Sequence, residues 1–281
     1  MARSSFVIFN MFLRFAWNAL SFRFVHRAMM NLKILGEELK ILFNGDMDYS
    51  SFLKETSLLD YRSSSIQSLL SKRGWLLLSE IDRAKAVYNF VKDEILFGYN
   101  VSDKRKASDV LKDGYGQCNT KGILLMALFR AANIPCKIHG FTIDKILQKG
   151  AMTGLVYRSA PKEILHSYVE AFIGGKWYNL EGFILDNKYL SSLQKKFKPN
   201  SDGSFIGHGV ATKDFMNPPI EFDLCDTYIQ KEGIVRDLGV YSDPDSLLKE
   251  HCQNTRLLKG LAYRFIGRRL MNRNVRKIRE S

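Results

Sequence analysis

The chain lacks the features that mark several classes of protein. Its 281 residues contain four cysteines, none in a CxxC pair or at zinc-finger spacing from a histidine. This argues against a disulfide scaffold and against a zinc module, and it favours a reducing, cytoplasmic compartment. The sequence has no low-complexity segment and no internal repeat, and it gives no reason to expect a metal or another cofactor.

A long uninterrupted apolar run is also missing. Residues 6–25 are rich in Phe, Leu, Ile and Val, but Arg14 and Arg23 interrupt them. No stretch therefore approaches the roughly 20 apolar residues that span a bilayer, and no signal peptide is expected because no clean cleavage site follows. As a helix, the segment would be apolar around most of its circumference. It would need cover from the protein body, a second subunit or a membrane surface.

Positive charge is concentrated near the two ends of the sequence, which carries a formal net charge of +13. Residues 1–40 hold six basic and two acidic side chains, and residues 253–281 hold nine basic and one acidic, which leaves +1 for residues 41–252. A nucleic-acid-binding domain with a basic face across its fold is not expected. The basic ends could meet an anionic membrane surface or a protein partner, although such a helix face is usually just solvated.

The patterning predicts three regions and an α+β fold. They are an apolar and basic N-terminal helical region at 1–45, a central domain at 46–250, and a basic C-terminal helix at 251–281. Ser79 followed by Asp82 is typical of a helix start, and Asn133 suits a left-handed helix end. Within the central domain we predict helices over 81–97 and 118–132, a loop over 99–117, an irregular segment over 142–165, and strands over 136–141, 167–173 and 176–183.

Cys118 stands between a glycine-containing loop and an apolar helix. A helix N-terminus favours negative charge and offers backbone N–H groups, which shifts a thiol toward the nucleophilic thiolate. Gly114 and Gly116 would let the chain approach a substrate closely. The N–H of Cys118 is a candidate oxyanion donor, and Gln117 would either share that role or stabilise the turn. Taken alone, a buried cysteine here would more often be an inert small hydrophobe.

His166 is the candidate base, and a predicted hairpin selects its acidic partner. The Gly-Gly turn at 174–175 is typical of a two-residue hairpin, which places Tyr168 opposite Glu181. His166 and Glu181 then become diagonal neighbours on one sheet face, about 7 Å apart between Cα atoms. Asp186 would face the other way. The register therefore indicates Glu181 as the carboxylate that orients the imidazole.

These motifs together resemble the transglutaminase-like superfamily, in the form found in bacterial proteins that carry this domain. The matching runs are Gly-Tyr-Gly-Gln-Cys118, an apolar helix, Ala-Asn-Ile-Pro, and His166-Ser-Tyr-Val-Glu followed by Trp177 and an acid at 181. The resemblance covers about residues 75–186. It implies a papain-like α+β core, in which the helix carrying the cysteine packs on an antiparallel sheet, with added N- and C-terminal helices.

The resemblance also implies roles for the site residues. Its nucleophile falls on Cys118, its base on His166 and its third residue on Glu181, where an aspartate is usual. Tyr168 stands where the family commonly has a tryptophan. The candidate supporting residues are Gly116, Gln117, Tyr168 and Trp177.

The expected activity is thiol acyl transfer on amide bonds of a protein or peptide substrate. Hydrolysis by a peptidase, amidase or deamidase is the default, and transamidation is the alternative. A second hypothesis is an inactive binding module that has kept the fold, supported by the aspartate-to-glutamate change. A third, compatible with either, is a peripheral protein whose basic termini dock on a membrane or a partner.

Overall fold

The computed structural model describes residues 48–251 and 266–281. The chain divides into two units, Met1–Asp48 and Tyr49–Ser281, and every element named below belongs to the second. The predicted helical segment before residue 45 and the cysteine at position 252 lie outside the described residues. No helix within the described ranges has the length and apolar character needed to cross a bilayer.

Helices and strands are mixed along the described part of the second unit. The helices are α1 (Ser64–Arg73), α2 (Glu80–Asn89), α3 (Ala107–Asp113), α4 (Cys118–Ala131), α5 (Gly154–Ser159), α6 (Asn187–Lys196), α7 (Pro244–Glu250) and α8 (Arg268–Arg279). The strands are β1 (Leu96–Phe97), β2 (Tyr115–Gly116), β3 (Cys136–Asp144), β4 (Glu163–Ile173), β5 (Lys176–Leu180), β6 (Phe205–Gly207), β7 (Val210–Thr212) and β8 (Ile234–Tyr241).

A four-stranded antiparallel sheet, in the order β5-β4-β3-β8, forms the framework. The helix α4 packs against β4, and α1, α2 and α3 also pack against α4. Every residue of α4 from Cys118 to Arg130 is buried as a result. A side chain at Gly122 would meet Val169 and Phe183, each at 3.7 Å. The predicted α+β fold, with a cysteine-bearing helix on an antiparallel sheet, is confirmed.

The β4–β5 hairpin has the predicted register as far as the strands extend. Gly174 and Gly175 both have positive φ (59° and 84°), as a type I′ turn requires, and residue 173 pairs with 176. The last pair is Val169 with Leu180. The predicted pairing of Tyr168 with Glu181 is therefore wrong, because the chain leaves the sheet and enters a 3-10 turn at Gly182–Ile184.

The segment before the nucleophile departs from the prediction at two places. Ser79 caps α2 as expected and accepts a hydrogen bond from the Asp82 N–H, but α2 does not continue to residue 97. It ends at residue 89 in a single π turn, Phe90–Glu94, and β1 then pairs in parallel with β2. The predicted loop over 99–117 also contains α3. These two-residue strands carry too little pattern to be recognised from periodicity.

The C-terminal helix α8 packs its apolar side onto the domain. Met271, Val275 and Ile278 are buried. Arg279 forms a salt bridge with Asp186, with Nη2 2.7 Å from Oδ2. Asp186 also caps α6 by accepting a hydrogen bond from the Tyr189 N–H. The helix is therefore attached to the same domain that holds the candidate nucleophile.

Candidate active site

Cys118 is the first residue of α4, and the residue is 8% exposed. The first N–H groups of a helix have no partner within the helix, so this position favours an anionic sulfur. Cys136, by contrast, is fully buried on β3, and burial raises the pKa of its thiol to about 11. The two buried thiols therefore lie in different surroundings.

His166 lies on β4 and connects the thiol to a carboxylate. Its Nε2 is 2.7 Å from Oε1 of Glu181, and both side chains are fully buried. Its Nδ1 has no hydrogen-bond partner among the described residues, but Cys118 is close enough to interact with the ring. Burial alone would lower the pKa of His166. The influence of the neighbouring Cys118 and Glu181 outweighs burial and raises the pKa from 6.5 to about 10.

Glu181 is fixed at both ends of its carboxylate. Oε1 meets His166, while Oε2 accepts hydrogen bonds from the backbone N–H groups of Ile229 and Gln230, each at 2.8 Å. The Glu181 N–H donates to the carbonyl of Thr227 at 2.9 Å. The extra methylene of glutamate is thus accommodated, since the chain after β5 leaves the sheet before this residue. Sequence reasoning missed residues 227–230, because nothing local links them to the hairpin.

The loop before Cys118 is held by Asn100, which is fully buried. Its N–H donates to Oε1 of Gln117 at 2.8 Å, its Nδ2 donates to the Tyr115 carbonyl at 3.1 Å, and its Oδ1 accepts from Thr120 Oγ1 at 2.6 Å. Gln117 Nε2 donates to Asp103 at 2.9 Å. Both ends of the Gln117 amide are therefore engaged, which favours its turn-stabilising role over oxyanion binding.

Gly116 is required by the protein's own packing. A Cβ there would lie 2.6 Å from Thr120 Oγ1 and 3.0 Å from Lys121 Cγ. Lys121 is fully buried, and its Nζ donates to the carbonyls of Lys92 and Ile184, both at 3.1 Å. Burial lowers the pKa of Lys121 to about 7. The groups that approach Gly116 closely are thus Thr120 and Lys121 of the nucleophile helix.

The other two predicted supporting residues are Tyr168 on β4 and Trp177 on β5. The Tyr168 ring packs against Phe141, tilted by 32° with centroids 4.8 Å apart, and its hydroxyl is 3.3 Å from His139 Nδ1. Burial and nearby acidic groups raise the pKa of Tyr168. Trp177 joins an aromatic cluster with Phe52 and Phe172, under the ammonium of Lys137. The structure thus brings Cys118, His166 and Glu181 together, and Trp177 packs elsewhere.

The described residues contain no group of three or more His, Cys, Asp and Glu side chains suited to hold a metal ion. Cys118, His166 and Glu181 together can perform the chemistry of a thiol nucleophile with an oriented imidazole. A helix that begins at the cysteine and packs on the sheet carrying the base defines the papain-like architecture.

Comparison with known proteins finds one family model that matches part of the chain. Residues 76–182 match the model of the transglutaminase-like superfamily, and this part of the chain is similar to that family. No curated protein matches the chain.

Two solved structures share similarity with the chain. One is a proposed cysteine protease from Cytophaga hutchinsonii, with 15% identity and a TM-score of 0.40 over 73% of this chain and 50% of that one. The other is a proposed protease from Parabacteroides distasonis, with 17% identity and a TM-score of 0.31 over 47% of this chain and 26% of that one. The chain thus spans half the length of the first protein and about a quarter of the second.

Proposed function

We propose that this protein is a thiol acyl-transfer enzyme that acts on amide bonds of proteins or peptides. The observation that supports this most strongly is the buried His166 ring, with Glu181 2.7 Å from Nε2 and Cys118 interacting with the same ring. Since the pKa of His166 is raised, its imidazole carries a proton at neutral pH. The proton is then already in place for the leaving group.

The proposed reaction has two halves. The Cys118 sulfur attacks the amide carbonyl carbon, and the tetrahedral intermediate collapses as His166 gives its proton to the leaving nitrogen. The resulting thioester is then attacked by water, whose proton passes to His166, and the acid leaves with the thiolate regenerated. An amine attacking instead of water would give transamidation. Hydrolysis is the default because water is always present.

The pH dependence of Cys118 alkylation by iodoacetamide tests the ion pair without a known substrate. We expect the thiolate of Cys118 to persist well below pH 8.5, the usual pKa of a free thiol. Peptide mapping by mass spectrometry separates Cys118 from the exposed Cys225, which serves as an internal reference. Reaction of both with the same pKa near 8.5 would contradict the proposal.

Turnover and its outcome need a second assay. A panel of peptide amides and glutamine-containing peptides would be incubated with the protein, with and without hydroxylamine. Hydrolysis releases amine or ammonia, and hydroxylamine captures an acyl-enzyme as a hydroxamate. A low thiol pKa with neither product from any substrate would favour the binding-module hypothesis. The structure gives that hypothesis little support, because Glu181 reaches the imidazole despite its added methylene.

We also propose that α8 can dock the protein on an anionic membrane surface. Its outward face, together with the turn that precedes it, combines basic and apolar side chains at helical spacing: Ile266 (62% exposed) in the turn, then Arg269, Leu270 (42% exposed), Arg273, Arg276 and Lys277 on the helix. Basic side chains beside exposed apolar ones suit an anionic lipid interface. We expect sedimentation with phosphatidylserine-containing vesicles and its loss in an Arg273→Glu, Arg276→Glu double variant. Equal binding to pure phosphatidylcholine vesicles would contradict charge-driven docking.

A further inference from the structure

The first turn of α4 is tied to β4 on both sides of His166. Asn119, the residue after Cys118, donates from Nδ2 to the carbonyl of Leu165 at 3.3 Å. Its Oδ1 accepts a hydrogen bond from Ser167 Oγ at 2.8 Å. One amide therefore contacts the two residues that flank the candidate base, and it stands next to the candidate nucleophile.

The surroundings fix the orientation of this amide. Asn119 is 3% exposed and Ser167 is 1% exposed, so water competes little for their polar atoms. The Asp103 carboxyl also interacts with the Asn119 side chain and accepts from Gln117. Acceptors thus lie on the Nδ2 side of the Asn119 amide, and a hydroxyl donor lies on its Oδ1 side.

The sheet itself leaves this part of β4 without its second neighbouring strand. The pairing of β4 with β5 ends at Val169, whereas the pairing with β3 runs through residues 163–171. Along residues 165–168, β4 is therefore paired on the β3 side only. A connection from α4 at Leu165 and Ser167 holds the position of His166 relative to that helix where β5 no longer supports the strand.

We propose that Asn119 and Ser167 are positioning residues that set the separation of Cys118 and His166, an inference that rests on the proposed function. Neither is proposed to touch the substrate. The stability of a thiolate–imidazolium pair depends steeply on the distance between the two groups in a buried site, because the Coulomb energy is large where the effective dielectric constant is low. A misplacement of about 1 Å costs roughly 100-fold in rate in well-oriented systems.

A purely structural role makes a different prediction. If the two hydrogen bonds only satisfied buried polar groups, their loss would lower the thermal stability and leave the Cys118 thiol unchanged. If they position the pair, the thiol pKa rises toward about 8.5. The thiol pKa therefore separates the two roles, and thermal stability alone does not.

The test uses Asn119→Ala, Ser167→Ala and the conservative Ser167→Thr in the full chain. We expect a higher thiol pKa for both alanine variants by iodoacetamide alkylation, with kcat lowered about 10- to 100-fold and KM nearly unchanged where a substrate is found. Ser167→Thr keeps the hydroxyl and should restore the wild-type profile. Thr142→Val is the matched control, because it removes a 2.7 Å hydroxyl bond to Glu163 from the same strand pair.

The outcomes separate this inference from the proposed function. A low thiol pKa in the wild type that persists in folded Ser167→Ala and Asn119→Ala would overturn the positioning role alone. A wild-type thiol pKa near 8.5 would instead remove the proposed function. Ser167→Ala deletes one oxygen atom and so keeps the test available if Asn119→Ala fails to fold. A rise in thiol pKa in Thr142→Val equal to that in Ser167→Ala would also count against specific positioning.

Discussion

The base and the nucleophile are held in place by different kinds of structure. His166 and Glu181 are 15 residues apart and are carried by one hairpin with its immediate continuation, so a single turn brings them near each other. Cys118 follows a loop whose support extends to the C-terminal helix, through the contact of Asn272 with Tyr99. The pairing of the base with its carboxylate thus depends on a local turn, whereas the position of the nucleophile also depends on long-range packing.

The C-terminal helix shows how far the support of the nucleophile extends. Asn272 of α8 exchanges two hydrogen bonds with the backbone of Tyr99, at 2.7 and 3.0 Å. Arg279 donates to the Phe97 carbonyl at 2.7 Å. Asn100, which follows Tyr99, holds the loop that leads to Cys118. Neither Asn272 nor Arg279 lies within the family match at residues 76–182.

The largest effect is expected from Glu181→Gln, which attacks the base side. Glutamate accepts at both oxygens, from the imidazole on one side and from the backbone N–H groups of Ile229 and Gln230 on the other. A glutamine must turn its NH2 group toward one of these donors. By analogy with the serine-protease triad, we expect a loss of roughly 10³- to 10⁴-fold in kcat/KM. A variant with wild-type turnover would show that Glu181 does not orient His166.

The pH profile should reveal the same unit without a substitution. Since the folded pKa of His166 is raised from 6.5 to about 10, its contribution to stability is complete below pH 6.5 and is lost as the pH rises through about 10. Turnover should fall over the same alkaline range, because His166 must donate a proton. Alkylation of Cys118 needs only the thiolate and should not fall there.

Comparison of the pH profiles of turnover and of Cys118 alkylation tests whether the alkaline loss of turnover is due to His166. If alkylation and turnover decline together above pH 9, the decline reports unfolding, and the loss of turnover is not assigned to deprotonation of His166. Glu181→Gln removes one anionic neighbour of His166, so the alkaline limb of its residual turnover should move to lower pH. An unmoved limb would assign the titration to another group.

A smaller effect is expected from Asn272→Ala, which attacks the nucleophile side from a distance. It removes both hydrogen bonds to Tyr99 and leaves two backbone groups to find water. We expect a loss of about 1–3 kcal/mol in stability and a loss of about 10-fold in the Cys118 alkylation rate at neutral pH. Arg273→Ala, its exposed neighbour on α8, should change neither. Loss of stability without any change in Cys118 reactivity would confine α8 to packing.

The sequence predicts the two sides of the site unequally for the same physical reason. Hairpin register follows from a two-residue turn and a period of two, so the choice of Glu181 required only nearby residues. The nucleophile helix was also recognisable, since its apolar run, the Asn133 end with φ of 57° and Pro135 are local signals. The contacts of Ile229 with Glu181 and of Asn272 with Tyr99 join residues far apart in the sequence. The contact of Asn100 with Gln117 is closer in sequence but lies in an irregular loop, and no periodicity encodes any of these contacts.

The short strands were not predicted from the sequence, for a related reason. The strands β1 and β2 contain two residues each, and they exist because tertiary packing places them side by side. The same packing ended α2 earlier than its apolar spacing predicted. Asn119 gave one usable signal, its position next to Cys118, but its partners at 165 and 167 became apparent only when α4 was placed on β4.

The smallest effect is expected from Trp177→Phe, at the turn end of the hairpin. The family resemblance makes this residue a candidate support of the site, but its ring packs on Phe52 and Phe172, with centroids 5.5 and 5.4 Å away, and Lys137 lies 4.3 Å above it. Phenylalanine keeps most of these contacts and weakens the cation–π interaction, which contributes about 0.5–1 kcal/mol at an exposed site. Thermal unfolding should therefore shift slightly, while the thiol pKa of Cys118 stays at its wild-type value. A raised thiol pKa in Trp177→Phe would show that the base side is supported along the whole hairpin, and the contrast between a local base and a distantly supported nucleophile would then fail.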